Sequence, residues 1–303
     1  MTTEPIGLAV IDKPAGMTSH DVVAAVRRAL SIKRVGHAGT LDPPATGVLL
    51  VGVGRATRLL GFLQGTDKAY EGTFVLGSTT STLDAAGEVT ATFEMDGVAD
   101  EAVEAAAARL TGELDQVPPM VSALSVGGRR LHELAREGIE VEREPRRIVV
   151  SAFDVAAVGE GTWRYRIECS SGTYVRSLVD DLGRALGGGA HVATLRRTRV
   201  GAFTIDQALA LETFVARAAE GTAELLEPAA MVGALDTERV TTSDVDALVH
   251  GRSIRVATRR GAPSSVAVCR EDGSLVAVCD DDGDGRLRPS VVLATQGADS
   301  IDG

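Results

Sequence analysis

Two short apolar runs, Gly7 to Asp12 and Val48 to Val53, bracket a stretch of helical periodicity and a loop crowded with glycine and proline. That succession constrains the fold more than any other feature of the chain. Runs of this length and apolarity read as buried strands rather than helices. Lys13-Pro14-Ala15-Gly16 turns the chain after the first run. A helix should then start near Thr18 or Ser19, with Asp21 in its first turn and Val22, Val26 and Leu30 on one face. The loop Gly36 to Gly47 leads into the second run, after which Arg55 to Leu63 again shows helical spacing through Leu59, Leu60 and Leu63.

The rest of the chain keeps this interleaving. Tyr70 to Leu76, Ile148 to Val158 and Trp163 to Cys169 read as strands, the last alternating Trp163, Tyr165 and Ile167 with Arg164, Arg166 and Glu168. Asp100 to Leu110, alanine-rich and closed by Gly112, is the clearest helix of an acidic segment and belongs to a solvated outer layer. Thr173 is a candidate cap for a helix carrying Val175, Leu178, Val179 and Leu182, and His191 to Val200 reads as extended with a basic centre. Composition shifts after Ala223, placing a boundary near Val232 to Asp236. In the smaller module beyond it, Asp272-Gly273 between two Val-Ala-Val-Cys runs predicts a hairpin over Ser265 to Cys279 with Cys269 facing Val276 and Cys279 facing Val266. The tail after Val292 should fray.

At 303 residues and 44% hydrophobic content the chain can bury a large core. Three cysteines, far apart in sequence, supply neither a disulfide framework nor a zinc knuckle, and the two in the hairpin are not opposed. The start of the chain has no basic, apolar leader and no run is long enough to cross a bilayer, so a soluble, cytoplasmic protein is expected. A net charge of −11 weighs against a nucleic-acid partner until its distribution is considered. Basic residues outnumber acidic ones eight to five in residues 1–70 and thirteen to ten in 128–200, whereas acid prevails ten to one in 71–127 and seventeen to nine in 201–303. Two separated basic stretches could therefore combine into one positive face.

The densest chemical signal is Gly36-His37-Ala38-Gly39-Thr40-Leu41-Asp42-Pro43-Pro44-Ala45-Thr46-Gly47. Its glycines permit close backbone approach, and Pro43 biases Asp42 away from helical geometry while Pro44 stiffens the next turn of chain. A rigidly held carboxylate suits covalent attack, though base, metal ligand and plain Asp-Pro turn remain open on the loop alone.

This loop and Gly7-Leu-Ala-Val-Ile-Asp-Lys-Pro-Ala-Gly-Met-Thr-Ser19 resemble the TruB family of tRNA pseudouridine-55 synthases. The resemblance continues, in order, through Asp67-Lys68-Ala69-Tyr70, Pro118-Pro119-Met120-Val121-Ser122-Ala123-Leu124, Cys169-Ser-Ser-Gly-Thr-Tyr-Val-Arg-Ser-Leu178, Gly189-Ala190-His191 and Leu195-Arg196-Arg197-Thr198. It implies an α/β (α+β) pseudouridine synthase fold, with a mixed, largely antiparallel central sheet flanked by helices, over residues 1–232. A small β-rich PUA-like RNA-binding domain is implied over 233–303, resting on its position, its hairpin and Leu248-Val-His-Gly251, although its acidic charge is unusual for a phosphate-binding module.

The implied reaction isomerises a flipped uridine of the tRNA T-loop to pseudouridine, with Asp42 attacking either C6 of the base or C1′ of the ribose. No metal or organic cofactor is implied. Tyr70 would stack on the base and assist removal of the C5 proton, and Arg176 would pair with Asp42, its planar fork orienting the carboxylate as a lysine could not. Tyr174 and Leu195 would wall the pocket. His37 would insert where the nucleotide has left, and Lys13 would support the site or meet a phosphate. Arg27, Arg28, Lys33, Arg34, Arg129, Arg130, Arg196, Arg197 and Arg199 form a candidate group for the RNA backbone, whose contacts should be salt-sensitive. The resemblance further implies action on tRNA without a guide RNA, and a monomer is expected. Two other classes compete: a noncatalytic RNA-binding or RNA-folding protein on the same scaffold, and a phosphate-cradling nucleotide enzyme, which lacks the Gly-Lys-Ser/Thr ending of a P-loop.

Overall fold

The structure, a computed structural model, describes residues 4–294 except 123, 127, 132, 133, 135, 136 and 140. The two apolar runs form β1 (Gly7–Lys13) and β3 (Thr46–Val53), antiparallel from Gly7↔Val53 to Lys13↔Gly47. Nearly every residue of both is buried, which explains why polar alternation is missing from their sequences. Between them lie α1 (Ser19–Ala29) and β2 (Val35–Ala38). Thr18 caps α1: its hydroxyl accepts from Asp21 N at 3.1 Å while the Asp21 carboxylate accepts from Thr18 N at 2.9 Å. The helical spacing after Arg55 becomes a 3-10 turn, Gly54–Leu59, running into the short α2 (Leu60–Gln64).

The chain continues through β4 (Lys68–Leu76), the β5–β6 hairpin (Ser78–Thr80, Val89–Thr92), α3 (Asp100–Arg109), β7 (Gly112–Gln116) and the two-residue strands β8 (Ser125–Val126) and β9 (Arg129–Arg130). Next come β10 (Arg146–Gly159), β11 (Thr162–Cys169), α4 (Val175–Ala185), β12 (Ala190–Val200), β13 (Phe203–Thr204), β14 (Leu209–Ala210) and α5 (Leu211–Ala219). Among the described residues the large sheet runs β14-β1-β3-β12-β4-β11-β10-β7, with β2 on β3 and β13 on β12. The pairs β1–β14 and β3–β12 are parallel and the others antiparallel, so the mixed, largely antiparallel sheet read from the sequence is present.

Helices α3 and α4 cover β4, β10 and β11, packing Val103, Ala106, Leu178, Val179 and Leu182 against Phe74, Ile148, Trp163 and Ile167. Burial of each large aliphatic contributes roughly 1.5–3 kcal/mol. On the other half, α1 and α5 bring Val22, Val26, Leu211 and Phe214 onto Ile11, Leu49 and Val51. Thr173 does not cap α4. The N-cap is Tyr174, whose N–H donates to Gln116 Oε1 at 2.8 Å while Gln116 Nε2 donates to Tyr174 O at 3.1 Å, so the end of β7 closes the helix start from across the sequence.

Where β3 meets β12, Gly47 has φ +101°, and a Cβ placed there would stand 2.1 Å from the Arg197 carbonyl oxygen. Backbone cannot retreat as a flexible side chain can. Gly47→Ala should therefore destabilise the fold by at least ~3 kcal/mol, combining left-handed strain with overpacking. Urea unfolding of the two proteins measures it, and a loss below about 1 kcal/mol would show that the β3–β12 junction yields.

A second sheet, ordered β15-β17-β18-β19-β16, is built from β15 (Asp236–Arg239), β16 (Ile254–Arg255), β17 (Ser264–Cys269), β18 (Leu275–Asp281) and β19 (Arg286–Val292), with α6 (Thr242–Val249) against it. The predicted hairpin is present with Val266↔Cys279, but a bulge after Val268 sets Cys269 opposite Leu275 rather than Val276. The turn is wider than two residues: Arg270 N donates to Ser274 O at 3.0 Å. All three cysteines are free and buried. This sheet is seated on the large one through Ala267, Val278 and Leu293, which join Leu60, Leu63, Phe203 and Met231 in one apolar cluster. The tail beyond residue 294 lies outside the described residues. Among those described, no helix is long and apolar enough to cross a membrane.

Candidate active site

Asp42 is presented by a loop whose backbone is tied down from several directions. Leu41 N donates to Ser19 Oγ at 2.9 Å and the same hydroxyl donates to Leu41 O at 3.2 Å. Pro43 O accepts from Gly16 N at 2.8 Å and from Lys13 Nζ at 3.2 Å. Arg197 donates to Gly39 O at 3.0 Å and to Thr40 O at 3.3 Å. Ser19, which the sequence suggests only as a cap, is thus the buried peg of the loop. Lys13 is 0% exposed, with Nζ also donating to Pro14 O at 2.9 Å and Met17 O at 2.7 Å. Burial lowers its pKa to about 8, opposed by the Asp42 charge. An ammonium enclosed by three carbonyls supports the loop and leaves no donor for a phosphate, so of the two roles open to Lys13 only support remains.

The Asp42 carboxylate itself is 37% exposed and stands 2.8 Å from Nη2 of Arg176, whose side chain is 5% exposed. Arg176 Nη1 donates to Thr82 O at 2.6 Å and Nη2 to Val121 O at 2.9 Å, while Nε lies 3.8 Å from Asp84. One guanidinium therefore sits between two carboxylates with its remaining edges on backbone, a geometry that only a planar fork can occupy. Asp84 is not marked by any motif of the sequence. Its loop hangs on β12 through Ala85 N to Val192 O at 2.8 Å, and Leu83 within it holds φ +61°, a left-handed conformation that bulky residues rarely adopt.

Two cavities meet at Asp42. The wider, of about 1050 Å³, is lined by Thr18, His20, Asp84, Met120 and Ile139. The narrower, of about 470 Å³, is lined by Lys68, Tyr70, Tyr174, Leu195 and Arg197. His37, Asp42 and Arg176 border both. The structure thus brings Asp42, Tyr70, Arg176, His37, Tyr174 and Leu195 to one place from the first half of the large sheet and from the far end of β11 onward. Burial raises the Tyr70 phenol pKa, with the Arg197 guanidinium acting against it, and burial likewise raises that of Tyr174. Lys68, a further residue that sequence reasoning missed, is lowered to about 8 by burial and donates to Thr66 O at 2.7 Å.

His37 packs edge-on against His20, ring centroids 5.3 Å apart, and its Nδ1 has no partner among the described residues. Burial lowers its pKa to about 4 from 6.5, and the His20 and Arg197 charges push the same way. The unfolded chain then binds more protons than the native one between those values. Stability associated with neutral His37 is present above pH 6.5 and is lost as pH falls toward 4. His37→Gln should flatten this acid limb, seen as a smaller drop in unfolding midpoint from about pH 7 to about pH 5 than in wild type; parallel drops would mean another group carries it.

The candidate RNA-backbone group is less uniform. Arg28, Lys33 and Arg34 are exposed. Arg27 is exposed but donates to Lys33 O and Val35 O, and Arg129 pairs with Glu137 at 2.5 Å. Arg196 holds both oxygens of Asp12 at 3.0 and 2.7 Å, and Arg199 pairs with Glu168 at 2.7 Å. The side chain of Arg130 lies outside the described residues. Arg197 is 1% exposed and turned inward, so it cannot serve a phosphate backbone and leaves the group.

In a split cleft of the mixed sheet a loop aspartate is held by a buried arginine, with a tyrosine lining the narrower half, and the matches to known proteins make this fold that of a pseudouridine synthase. Residues 27–175 match the TruB family pseudouridylate synthase N-terminal domain, 176–237 the tRNA pseudouridylate synthase B C-terminal domain, and 236–294 the C-terminal domain of tRNA pseudouridine synthase II. The tRNA pseudouridine synthase B of Mycobacterium tuberculosis is 45% identical over 291 residues, 95% of each chain, and that of Mycobacterium leprae 47% identical over 265 residues, 83% of this chain and 80% of that one. A solved H/ACA RNP bound to a substrate RNA containing 2'-deoxyuridine shares the fold, with TM-score 0.73 and 24% identity over 96% of this chain and 86% of that one. A Cbf5-Nop10-Gar1 complex gives TM-score 0.70 and 27% identity over 92% and 79%. The chain belongs to the TruB family of tRNA pseudouridine synthases.

Proposed function

We propose that the chain isomerises uridine 55 in the T-loop of tRNA to pseudouridine, with Asp42 as nucleophile. The observation that carries this reading is the placement of the Asp42 carboxylate, partly exposed where two cavities meet and oriented by Arg176 at 2.8 Å, on a loop with little freedom to move. Attack by Asp42 leads to breakage of the N1–C1′ bond, the base turns within the narrower cavity, C5 bonds to C1′, and the bond to Asp42 breaks to free the carboxylate. The C5 proton leaves and N1 ends protonated, so nothing is oxidised or reduced.

Tyr70 stacks on the flipped base and assists removal of the C5 proton as a relay, Tyr174 and Leu195 enclose it, and the stacking offsets part of the few kcal/mol that unstacking commonly costs. His37, between the cavities, takes the space the nucleotide leaves. Residues 1–232 carry the chemistry, and residues 233–303 grasp the tRNA elbow as a PUA-like domain. Arg28, Lys33 and Arg34 with Arg27, Arg129, Arg130, Arg196 and Arg199 supply the field for the RNA backbone. The two solved neighbours belong to an H/ACA RNP and a Cbf5-Nop10-Gar1 complex, whereas this chain acts in the cytoplasm as a monomer without guide RNA.

Purified protein incubated with unmodified tRNA transcript should yield a single T-loop pseudouridine by base-resolved chemical labelling, with no added factor. Tight binding without product would favour an RNA-folding protein on the same scaffold.

A further inference from the structure

Arg197 stands at the junction of three strands, facing Tyr70 across the β4–β12 pair and Gly47 across β3–β12. Its guanidinium is enclosed: Nε donates to Val48 O at 2.8 Å, Nη2 to Gly39 O at 3.0 Å and Nη1 to Thr40 O at 3.3 Å. Its partners are neutral carbonyls, and the Tyr70 phenol, on the residue opposite it across the strand pair, lines the same cavity. Burying a full positive charge among neutral groups is expensive, and a neutral donor could close the same carbonyls with less desolvation. The charge therefore calls for a reason beyond holding strands together. Two of the three carbonyls belong to the segment that leads into Asp42, and the phenol borders the narrower cavity that Asp42 also borders.

We propose that Arg197 is a positioning residue of the isomerisation: it couples the backbone carrying Asp42 to the Tyr70 hydroxyl, so that nucleophile and phenol keep one spacing across the base. The inference rests on the role of Tyr70 in assisting removal of the C5 proton. The titratable groups whose charges act on or with that phenol are Arg197 from β12, Cys169 and Tyr165 from β11 and Asp42 from the loop, and Lys68 on β4 lines the same cavity. Of these, Arg197 is both the strand partner of Tyr70 and the donor to the Gly39 and Thr40 carbonyls that lead into Asp42. For Tyr70 to relay the C5 proton, its hydroxyl must remain aimed at C5 through the turn of the base, and a neighbouring guanidinium locked by three backbone bonds keeps that direction.

A double-mutant cycle on Arg197→Lys and Tyr70→Phe tests the coupling, read as single-turnover rate on unmodified tRNA transcript alongside tRNA dissociation constant and unfolding midpoint. Arg197→Lys should slow the wild type by ~10- to 100-fold with tRNA affinity unchanged, yet slow the Tyr70→Phe protein by less than ~3-fold, because residues that act together are not additive. The same slowing factor in both backgrounds, or a wild-type rate for Arg197→Lys, would overturn the inference while leaving the Tyr70 role standing. A wild-type rate for Tyr70→Phe would instead sink the Tyr70 role and this inference with it. If Arg197→Lys does not fold, the ¹⁵N resonances of the Arg197 guanidinium in folded wild type and folded Tyr70→Phe decide: a shift on loss of the hydroxyl supports the coupling, and unchanged resonances overturn it.

Discussion

Asparagine in place of Asp42 should leave tRNA bound and unmodified. The substitution keeps the size of the side chain and an oxygen that can accept from Arg176 Nη2, so the 2.8 Å contact and the loop survive. What is lost is the nucleophile, since an amide oxygen does not form the covalent bond a carboxylate does. The anchors of the loop are Ser19, Lys13, Gly16 and Arg197, none of which uses the Asp42 side chain, so folding should be nearly unaffected. The rate of pseudouridine formation should fall by at least ~10⁴-fold, as removal of a covalent nucleophile generally does, while tRNA affinity stays within ~3-fold. His37→Ala, which removes a side chain proposed to fill space rather than carry chemistry, should cost less turnover than Asp42→Ala. Product formation by Asp42→Asn at the wild-type rate, mapped on the same transcript, would mean that another group attacks and that the arginine-held carboxylate only shapes the cleft.

How much of the molecule is legible in its sequence depends on the range of the interactions involved. The runs that form β1 and β3 declare themselves because burial on two faces writes an unbroken apolar pattern. The β17–β18 hairpin is equally local, although its sequence does not announce the bulge after Val268, because an Asp-Gly pair admits more than one turn length. The cap of α4 escapes a local reading for a different reason: its partner, Gln116, lies 58 positions away and leaves no mark near Thr173. Arg176 and Asp42 can be placed by resemblance, but nothing near Asp84 in the sequence shows that it flanks the same guanidinium. Arg196-Arg197 reads as one solvated basic patch, yet a strand sends neighbours to opposite faces. Arg196 meets Asp12 at the surface, and Arg197 points inward to Gly39, Thr40 and Val48. The period of two along β12 is a usable signal. It is outweighed by charge, which ordinarily marks the outside of a protein.

Arg176→Lys should be both less stable and nearly inactive, and the two losses have separate causes. The native guanidinium serves Thr82 O, Val121 O and Asp42 while lying beside Asp84. A lysine ammonium is a single point with three donors on a flexible stem and cannot reach both carbonyls while keeping Asp42. At least one buried acceptor is left unpaired, which together with imperfect charge pairing predicts a loss of ~2–4 kcal/mol in unfolding free energy. Stability alone would not silence the enzyme if the fold tolerates that loss. The larger effect is on orientation: the nucleophile would no longer be aimed, and misplacement of an attacking atom by about 1 Å commonly costs ~10²-fold or more in rate. The expected pattern is a single-turnover rate lowered ~10²- to 10³-fold at saturating tRNA, with binding little changed, since the Arg176 side chain is buried. Cooling the assay or adding a stabilising osmolyte should restore folding without restoring the rate. Recovery of the rate along with the folded fraction would assign Arg176 to the scaffold and leave Asp42 to be oriented by its loop alone.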